Sequence, residues 1–312
     1  MEHEEVASTP AGETDVHAER RRLLALAFRM TGTIAEAEDV VQETSLRWYR
    51  LSAAERAAIV VPAAWLTRVA GRIALDVLKS ARVRREQKVG QWLPEPVPAE
   101  YFAGTVTSGS SPVQDPLERV TLDDEVSTAL LVVLEAMTPA ERVAFVLHDV
   151  FGTPFDEIAE IVGRSAAATR QLATSARRHL RERRSVAASA QRHDELVRAF
   201  LTAARGGDLQ ALVRTLDPAV ELRADGGDVI RAAPNVILGA DHVGRFLLGL
   251  LRKQPQLRFA ERRTADGLGY ALSSSGRIQG LVSFRTTPDG IADVWLMLDP
   301  ARLGLWRAED DG

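Results

Sequence analysis

Thr153-Pro154-Phe155-Asp156-Glu157-Ile158-Ala159-Glu160-Ile161-Val162-Gly163-Arg164-Ser165, continuing through Thr169-Arg170-Gln171-Leu172-Ala173-Thr174-Ser175-Ala176-Arg177-Arg178-His179-Leu180-Arg181, is the stretch on which the fold turns. Thr-Pro-Phe-Asp is a helix-start signal, and Ile158, Ala159, Ile161 and Val162 give a short amphipathic helix that Gly163 closes by its tolerance of left-handed backbone. A second helix begins at Ser165. Helix, brief glycine turn and helix is the helix-turn-helix plan, whose second helix enters the DNA major groove. Leu172, Ala176 and Leu180 can pack inward, leaving Arg170, Gln171, Thr174, Arg177 and Arg178 for bases and phosphates. Residues 161–184 hold seven arginines and one acid. A plain two-helix hairpin with a basic surface is the competing reading, and pattern alone leaves both open.

Just upstream, Thr138-Pro139-Ala140-Glu141 combines a cap, a proline at the first helical position and a glutamate at the third, so another helix starts there and buries Val143, Phe145, Val146 and Leu147. Further back, residues 16–88 have helical apolar spacing throughout. A helix from Leu23 stops at Gly32, and Thr33 with Glu36 opens the next. Ala37, Val40, Val41, Thr44 and Trp48 form its core side. Glu36, Glu38, Asp39 and Glu43 lie on other faces, as a solvated surface or an acidic patch for a basic partner. After Pro62, Trp65, Val69, Ile73 and Val77 recur every four residues as a core stripe, while Arg68, Arg72, Lys79 and Arg82 project elsewhere. Residues 68–88 carry seven Lys or Arg against two acids, a phosphate-binding surface or a solvated helix end.

Between the helical blocks the pattern breaks at Trp92-Leu93-Pro94-Glu95-Pro96, and Pro98 to Pro116 is rich in Pro, Gly, Ser and Thr, a linker expected to join rather than pack. From His193 the chain is helical again and then alternates as strands do, as in Arg277-Ile278-Gln279-Gly280-Leu281-Val282-Ser283-Phe284. The organisation read from this is a disordered tail at 1–15, helical domains at 16–88 and 117–186 with a linker at 89–116, and an α+β domain at 187–312. With 312 residues, 46% apolar and 26% charged, the chain suits a multidomain globular protein. The absence of cysteine excludes disulfides, thiolate catalysis and thiolate metal sites. No secretion signal or membrane span is evident, which suits a cytoplasmic protein. A net charge of −4 means that nucleic-acid binding must come from local charge segregation.

Ala37-Glu38-Asp39-Val40-Val41-Gln42-Glu43-Thr44, then Ala64-Trp65-Leu66, then Leu75-Asp76-Val77-Leu78-Lys79, then the helix-turn-helix, together resemble the extracytoplasmic-function (ECF) RNA polymerase sigma factors. The resemblance implies two all-α sigma domains, a region 2 helical bundle and a region 4 helix-turn-helix. It also implies two partners, core RNA polymerase through its clamp helices and promoter DNA. Glu38, Asp39, Gln42 and Glu43 would then face polymerase. Arg68, Arg72, Lys79, Arg82, Arg84 and Arg85 would recognise and melt the −10 element, and Arg164, Arg170, Gln171, Thr174, Arg177 and Arg178 would read the −35 element.

Trp92-Leu93-Pro94-Glu95-Pro96, Asp225-Gly226-Gly227 and Asp299-Pro300-Ala301-Arg302-Leu303 resemble the subgroup whose C-terminal extension is a SnoaL-like (NTF2-like) α+β cone. Trp92, Pro94, Asp225, Gly226 and Gly227 are accordingly expected to carry regulation between domains. Asp-Gly-Gly is also a common turn. Such a cone usually encloses a cavity, for which Asp225, His242, Arg245 and Tyr270 are the polar candidates, although a lone His or Tyr is more often a satisfied structural group. A small-molecule ligand of the cone is left open, while no cofactor, metal or catalytic residue is expected. A tethered domain has a high effective concentration at its neighbours, so a weak contact suffices to restrain them. The expected function is promoter recognition and transcription initiation, regulated in cis, the resemblance implying both an activating and a restraining contribution. The rival is a SnoaL-like enzyme or ligand sensor fused to a DNA-binding regulator.

Overall fold

The structure, a computed structural model, describes residues 16–86, 90–103, 126–182, 186–228, 230 and 232–306. The expected tail at 1–15 lies outside the described residues, as does half of the expected linker at 89–116.

The first bundle contains α1 (Val16–Thr31), α2 (Ile34–Arg50), the short α3 (Ala53–Ala57) and α4 (Pro62–Glu86). Gly32 has φ +81 and separates α1 from α2, whose first turn is capped by Thr33 accepting from the Glu36 N–H. Ala37, Val40, Val41, Thr44 and Trp48 are buried as the spacing predicts. The stripe expected on α4 is displaced by one residue. Leu66, Ala70, Ala74, Leu78 and Ala81 are buried, whereas Trp65, Ile73 and Val77 are half-buried and pack alongside. α4 carries two adjacent apolar rows, and the row of smaller residues allows the closer helix approach.

The second helical block contains α5 (Thr128–Glu135), α6 (Pro139–Phe145), a π-helical turn (Val146–Val150), α7 (Phe155–Val162) and α8 (Ala166–Glu182). Thr138 and Glu141 make the reciprocal capping box at α6. Gly163 ends α7 at φ +68. The helix-turn-helix is therefore α7–turn–α8, with Thr169, Ala173 and Ala176 forming the buried side of α8 and Leu172 and Leu180 at its margin.

The third unit contains α9 (Ala190–Gly206), α10 (Leu209–Thr215), α11 (Ala240–Lys253) and strands β1 (Leu216–Asp225), β2 (Ile237–Leu238), β3 (Arg258–Thr264), β4 (Gly267–Ser274), β5 (Arg277–Thr287) and β6 (Gly290–Met297). The strands form one sheet in the order β2-β1-β6-β5-β4-β3, antiparallel except for the parallel β1–β6 pair. Its concave face closes over the three helices in an apolar core that includes Phe200, Leu222, Val243, Phe284 and Leu296. This is the expected α+β cone.

The cores depart from the expected separation into modules. α1, α2 and α4 share one continuous apolar cluster with α5 to α8. A further cluster joins Leu93 of the linker to Ala271, Leu281, Trp295 and Met297 on the outer sheet face and to Leu303 and Trp306 beyond it. The linker's first part therefore packs, contrary to the expectation that it merely joins. Leu93, Val97 and Phe102 are buried, and the backbone of Val97 and Ala99 pairs with Ala265 and Arg263 at the β3 edge. Prolines 94, 96 and 98 lack N–H donors, so this extended run can be buried with few backbone groups left to satisfy. Residues 104–116, the Gly- and Ser-rich remainder, lie outside the described residues.

Candidate functional site

On α2 the core positions leave Glu38, Asp39 and Gln42 exposed and Glu43 half-exposed on the opposite side. Glu38 is 3.3 Å from Arg20, and Glu43 is 2.8 Å from Arg47. These exposed pairs contribute little to stability, about 0–1 kcal/mol each. Leu46 and Tyr49, 44% and 55% exposed, continue the same face. Sequence periodicity did not single them out, because an apolar residue off the core stripe has no pattern of its own. The result is an acidic surface with an apolar end, suited to a basic amphipathic partner helix.

On α4, Arg72 and Lys79 are exposed and Arg68 is half-buried. Arg82, Arg84 and Arg85 lie in its last turns, and their side chains are outside the described residues. The face bearing Arg68 and Arg72 meets α7. Arg72 Nη2 donates to the Glu160 carbonyl at 3.2 Å, and Arg68 Nη1 lies 3.5 Å from the Glu160 carboxylate. Between them, a Cβ on Gly71 would come 3.1 Å from Leu147 Cδ1 and 3.4 Å from Ile161 Cδ1, so glycine permits this close approach. Arg142, 4% exposed, adds a second tie by donating to the Met30 carbonyl at the end of α1.

Arg170, Gln171, Thr174 and Arg178 are exposed in one array along α8, the recognition helix, and Arg164 is exposed in the turn that precedes it. Arg170 sits 5.5 Å from the Phe155 ring centroid. Arg177 differs from the other five: its Nε and Nη2 lie 2.8 and 2.7 Å from Asp149 Oδ1, on a side chain only 1% exposed. Its guanidinium is engaged inside the domain.

The interdomain residues converge most closely. Asp225, at the end of β1 and 4% exposed, accepts from the Leu93 N–H at 2.8 Å and pairs with Arg302 Nη1 at 2.8 Å. Arg302 also donates to the Leu93 carbonyl and stands 5.6 Å from the Trp92 ring centroid. Trp92 in turn covers Gly32, where a Cβ would meet its ring at 2.5 Å. Gly227 has φ +59, and a Cβ there would meet the Asp299 carboxylate at 2.5 Å. Asp-Gly-Gly is therefore both a turn and a fitted surface. Pro94 is buried beside Gly32. Glu95 accepts from the Ile34 N–H at 2.9 Å, fastening the linker to the first turn of α2, and Trp306 Nε1 donates to the Pro96 carbonyl. Burial pushes the Glu95 carboxyl above its ordinary range, against the opposing effects of the Ile34 hydrogen bond and Arg302.

The polar candidates for a cone cavity are not brought together. Asp225 belongs to the linker site. His242 is exposed and bonds the Leu238 carbonyl, and Arg245 is exposed and paired with Asp241. Tyr270 is buried on β4, and burial pushes its hydroxyl pKa up. Within the described residues no cluster of His, Cys, Asp and Glu is placed to hold a metal, and no helix is long and apolar enough to cross a membrane.

A helical bundle, a helix-turn-helix and a cone, strung in this order with an acidic helix face and two basic helices, define a promoter-specificity factor of the sigma class. Residues 16–85 match Sigma-70 region 2, and residues 127–180 match Sigma-70 region 4. The ECF RNA polymerase sigma factor SigJ of Mycobacterium tuberculosis is 40% identical over 274 residues, 87% of this chain and 83% of that one. The probable ECF RNA polymerase sigma factor SigI of the same species is 42% identical over 297 residues, 95% of this chain and 96% of that one. The crystal structure of M. tuberculosis SigJ superposes with a TM-score of 0.69 at 33% identity, covering 94% of this chain and 98% of that one. The chain belongs to the ECF sigma factor family, a family of non-enzymatic transcription factors, and its function is that of an alternative sigma factor.

Proposed function

We propose that this sigma factor restrains itself, its cone and linker holding the two promoter-reading domains together until they are released on polymerase and promoter DNA. In the released form, acting in the cytoplasm, the α2 face of Glu38, Asp39, Gln42 and Glu43 docks on the polymerase clamp helices. Arg68, Arg72 and Lys79, with Arg82, Arg84 and Arg85, engage the −10 element. Arg164, Arg170, Gln171, Thr174 and Arg178 contact the −35 element, while Arg177 positions the recognition helix through Asp149.

The observation carrying this reading is the contact of Arg72 with Glu160. Elements named for positions −10 and −35 are 25 base pairs apart, roughly 85 Å at 3.4 Å per base pair. Helices joined by the 3.2 Å hydrogen bond from Arg72 to the Glu160 carbonyl cannot serve both at once. The Asp225–Leu93–Arg302 site supports it further, because it fastens the linker that must lengthen. Glu160 also sets a carboxylate where Arg68 would meet a phosphate.

In vitro transcription with bacterial core polymerase tests this by comparing the full chain with one ending near Ser185. Specific initiation is expected from both, with the truncated form departing from the full chain. Equal activity would remove the cis-regulatory role, and no specific product from either form would remove the sigma reading.

A further inference from the structure

Phe155, the first residue of α7, is half-buried and touches both the π-helical turn and the recognition helix. The His148 imidazole stacks on its ring, with centroids 3.7 Å apart and planes 27° from parallel, and the Arg170 guanidinium carbon stands 5.5 Å from its centroid. The His148 ring is itself held, since Nδ1 lies 3.0 Å from the Thr153 carbonyl. A carbonyl only accepts, so this nitrogen carries a proton and donates it. Pro154 opens α7 as its N-cap at φ −61, a value its own ring fixes, so the backbone next to Phe155 is stiff as well. Neighbouring segments thus fix one aromatic ring beside one arginine of the recognition helix.

Arg170 is placed differently from its neighbours on α8. Arg177 spends Nε and Nη2 on Asp149, and Arg178 Nε lies 3.8 Å from Glu182 of the same helix. The exposed Arg170 side chain makes no ion pair and no hydrogen bond among the described residues, and its contact is with the Phe155 ring. A guanidinium within about 6 Å of a ring centroid is attracted by the π-electron quadrupole, and this attraction consumes none of its N–H donors. They stay available for a bidentate contact with guanine O6 and N7 or with a phosphate. A free arginine side chain samples many rotamers, and ordering them on binding weakens a complex. A ring that holds the guanidinium beforehand removes part of that cost.

We propose that Phe155 is a positioning residue for −35 recognition: its ring, steadied by His148, presents the Arg170 guanidinium to DNA in one orientation. The inference rests on the assignment of Arg170 to the −35 element made above. DNA excludes water from the contact between Arg170 and Phe155, and a cation over a ring is held more tightly once desolvated. The difference between the exposed and the desolvated interaction corresponds to about five- to tenfold in affinity.

The experiment uses the full chain with bacterial core polymerase on promoter duplexes randomised across the −35 element. Sequencing of the bound fraction gives the preference at each position, and affinities are then measured on the duplex that the wild type selects. Phe155→Leu, which keeps an apolar side chain, is expected to bind about five- to tenfold more weakly and to lose preference only where Arg170→Ala does. Phe155→Tyr restores a ring face and should bind as the wild type does. In an Arg170→Ala background, Phe155→Leu should add nothing, because the group it positions is gone. That background decides even if Phe155→Leu lowers the melting temperature, since a folding defect weakens binding whether or not Arg170 is present. An undiminished effect of Phe155→Leu in the Arg170→Ala chain, or wild-type binding by Phe155→Leu itself, would overturn the positioning role while leaving Arg170 as a DNA contact. An Arg170→Ala chain with unchanged affinity and preference would instead remove the −35 assignment of Arg170, and the positioning role with it.

Discussion

Arg302 Nη1 stands 2.8 Å from Asp225 Oδ2 across 77 residues of sequence, and both groups are bound to the same residue, Leu93, one through its carbonyl and the other through its N–H. Three distant segments, the linker, the end of β1 and the turn at Pro300–Arg302, thus meet at one buried ion pair. Removing one partner of such a pair strands the other, at a cost of about 3–5 kcal/mol. Asp225→Ala is expected to lose about that much stability in chemical denaturation of the full chain. It should also enlarge the radius of gyration in solution scattering. An unchanged radius together with a stability loss below about 1 kcal/mol would show that the site does not hold the linker.

Gly71 sets the approach of α4 to the helix-turn-helix domain. Gly71→Ala places a Cβ at 3.1 Å from Leu147 Cδ1, a contact a leucine rotamer can relieve, so a small effect is expected. Gly71→Leu inserts a branched side chain where no space exists, and overpacking of this kind costs about 1–3 kcal/mol. The domains should separate, and the free chain should bind promoter DNA more tightly than the wild type in fluorescence anisotropy. Weaker binding with an unchanged radius of gyration would place Gly71 in the DNA contact instead.

How much of this was legible in the sequence depended on the range of the signal. Local signals were reliable: Gly32 and Gly163 ended helices, and Thr33 and Thr138 capped them, because a capping bond spans only three residues. The mixed α+β character of the third unit was readable from its alternating segments, while its closure as a cone came from the resemblance. The α4 stripe was misplaced by one residue because two apolar rows lie side by side, and only the neighbouring helices decide which faces the core. The linker was misread because its proline-rich composition resembles a free tether, whereas its burial depends on Asp225 and Arg302, more than a hundred residues away. Glu160 gave no signal either, since a surface glutamate on a short helix reads as solvation until α4 lies against it.

Glu95 ties the linker to α2, and burial holds its carboxyl above the ordinary value. The folded chain therefore binds this proton more tightly than the unfolded chain. The corresponding contribution to stability is present below about pH 4.3, the unfolded value, and is lost as pH rises through the raised folded value. Glu95→Gln keeps an acceptor for the Ile34 N–H without the buried charge. It is expected to match or exceed wild-type stability at pH 7, with the difference shrinking as pH falls toward 4. Glu95→Ala leaves that N–H unanswered and should cost about 1–3 kcal/mol at either pH. Denaturation curves across this range decide, and a Gln variant less stable than wild type at pH 7 alone would reverse the sign assigned to burial.

The exposed recognition-helix residues and Arg177 should separate in one experiment. Arg170→Ala and Arg178→Ala are expected to weaken −35 DNA binding without loss of fold. A phosphate contact would reduce the salt slope by about 1, and a base contact would cost about 1–3 kcal/mol at one position. Arg177→Ala instead leaves the buried Asp149 carboxylate without this partner, so its first effect should be a lower melting temperature. Binding by the remaining folded protein should keep its sequence preference. If Arg177→Ala relaxed sequence preference at full stability, it would join the base-reading set.

The C-terminal turn offers the sharpest separation of fastening from fold. Arg302, Leu303 and Trp306 bind the linker, but the sheet ends at Met297. A chain ending at Asp299 should therefore retain the cone while losing the Arg302 ion pair and the Trp306 bond to Pro96. A chain ending near Ser185 loses the cone and everything it contributes. If the cone both restrains and assists initiation, the shorter deletion should transcribe more than the full chain, because only the fastening is gone. The longer deletion should transcribe less than the shorter one, because assistance is lost as well. In vitro transcription with core polymerase at matched concentrations reads this directly. Equal activity of the two deletions would leave the cone with no role beyond the contacts made by residues 300–306.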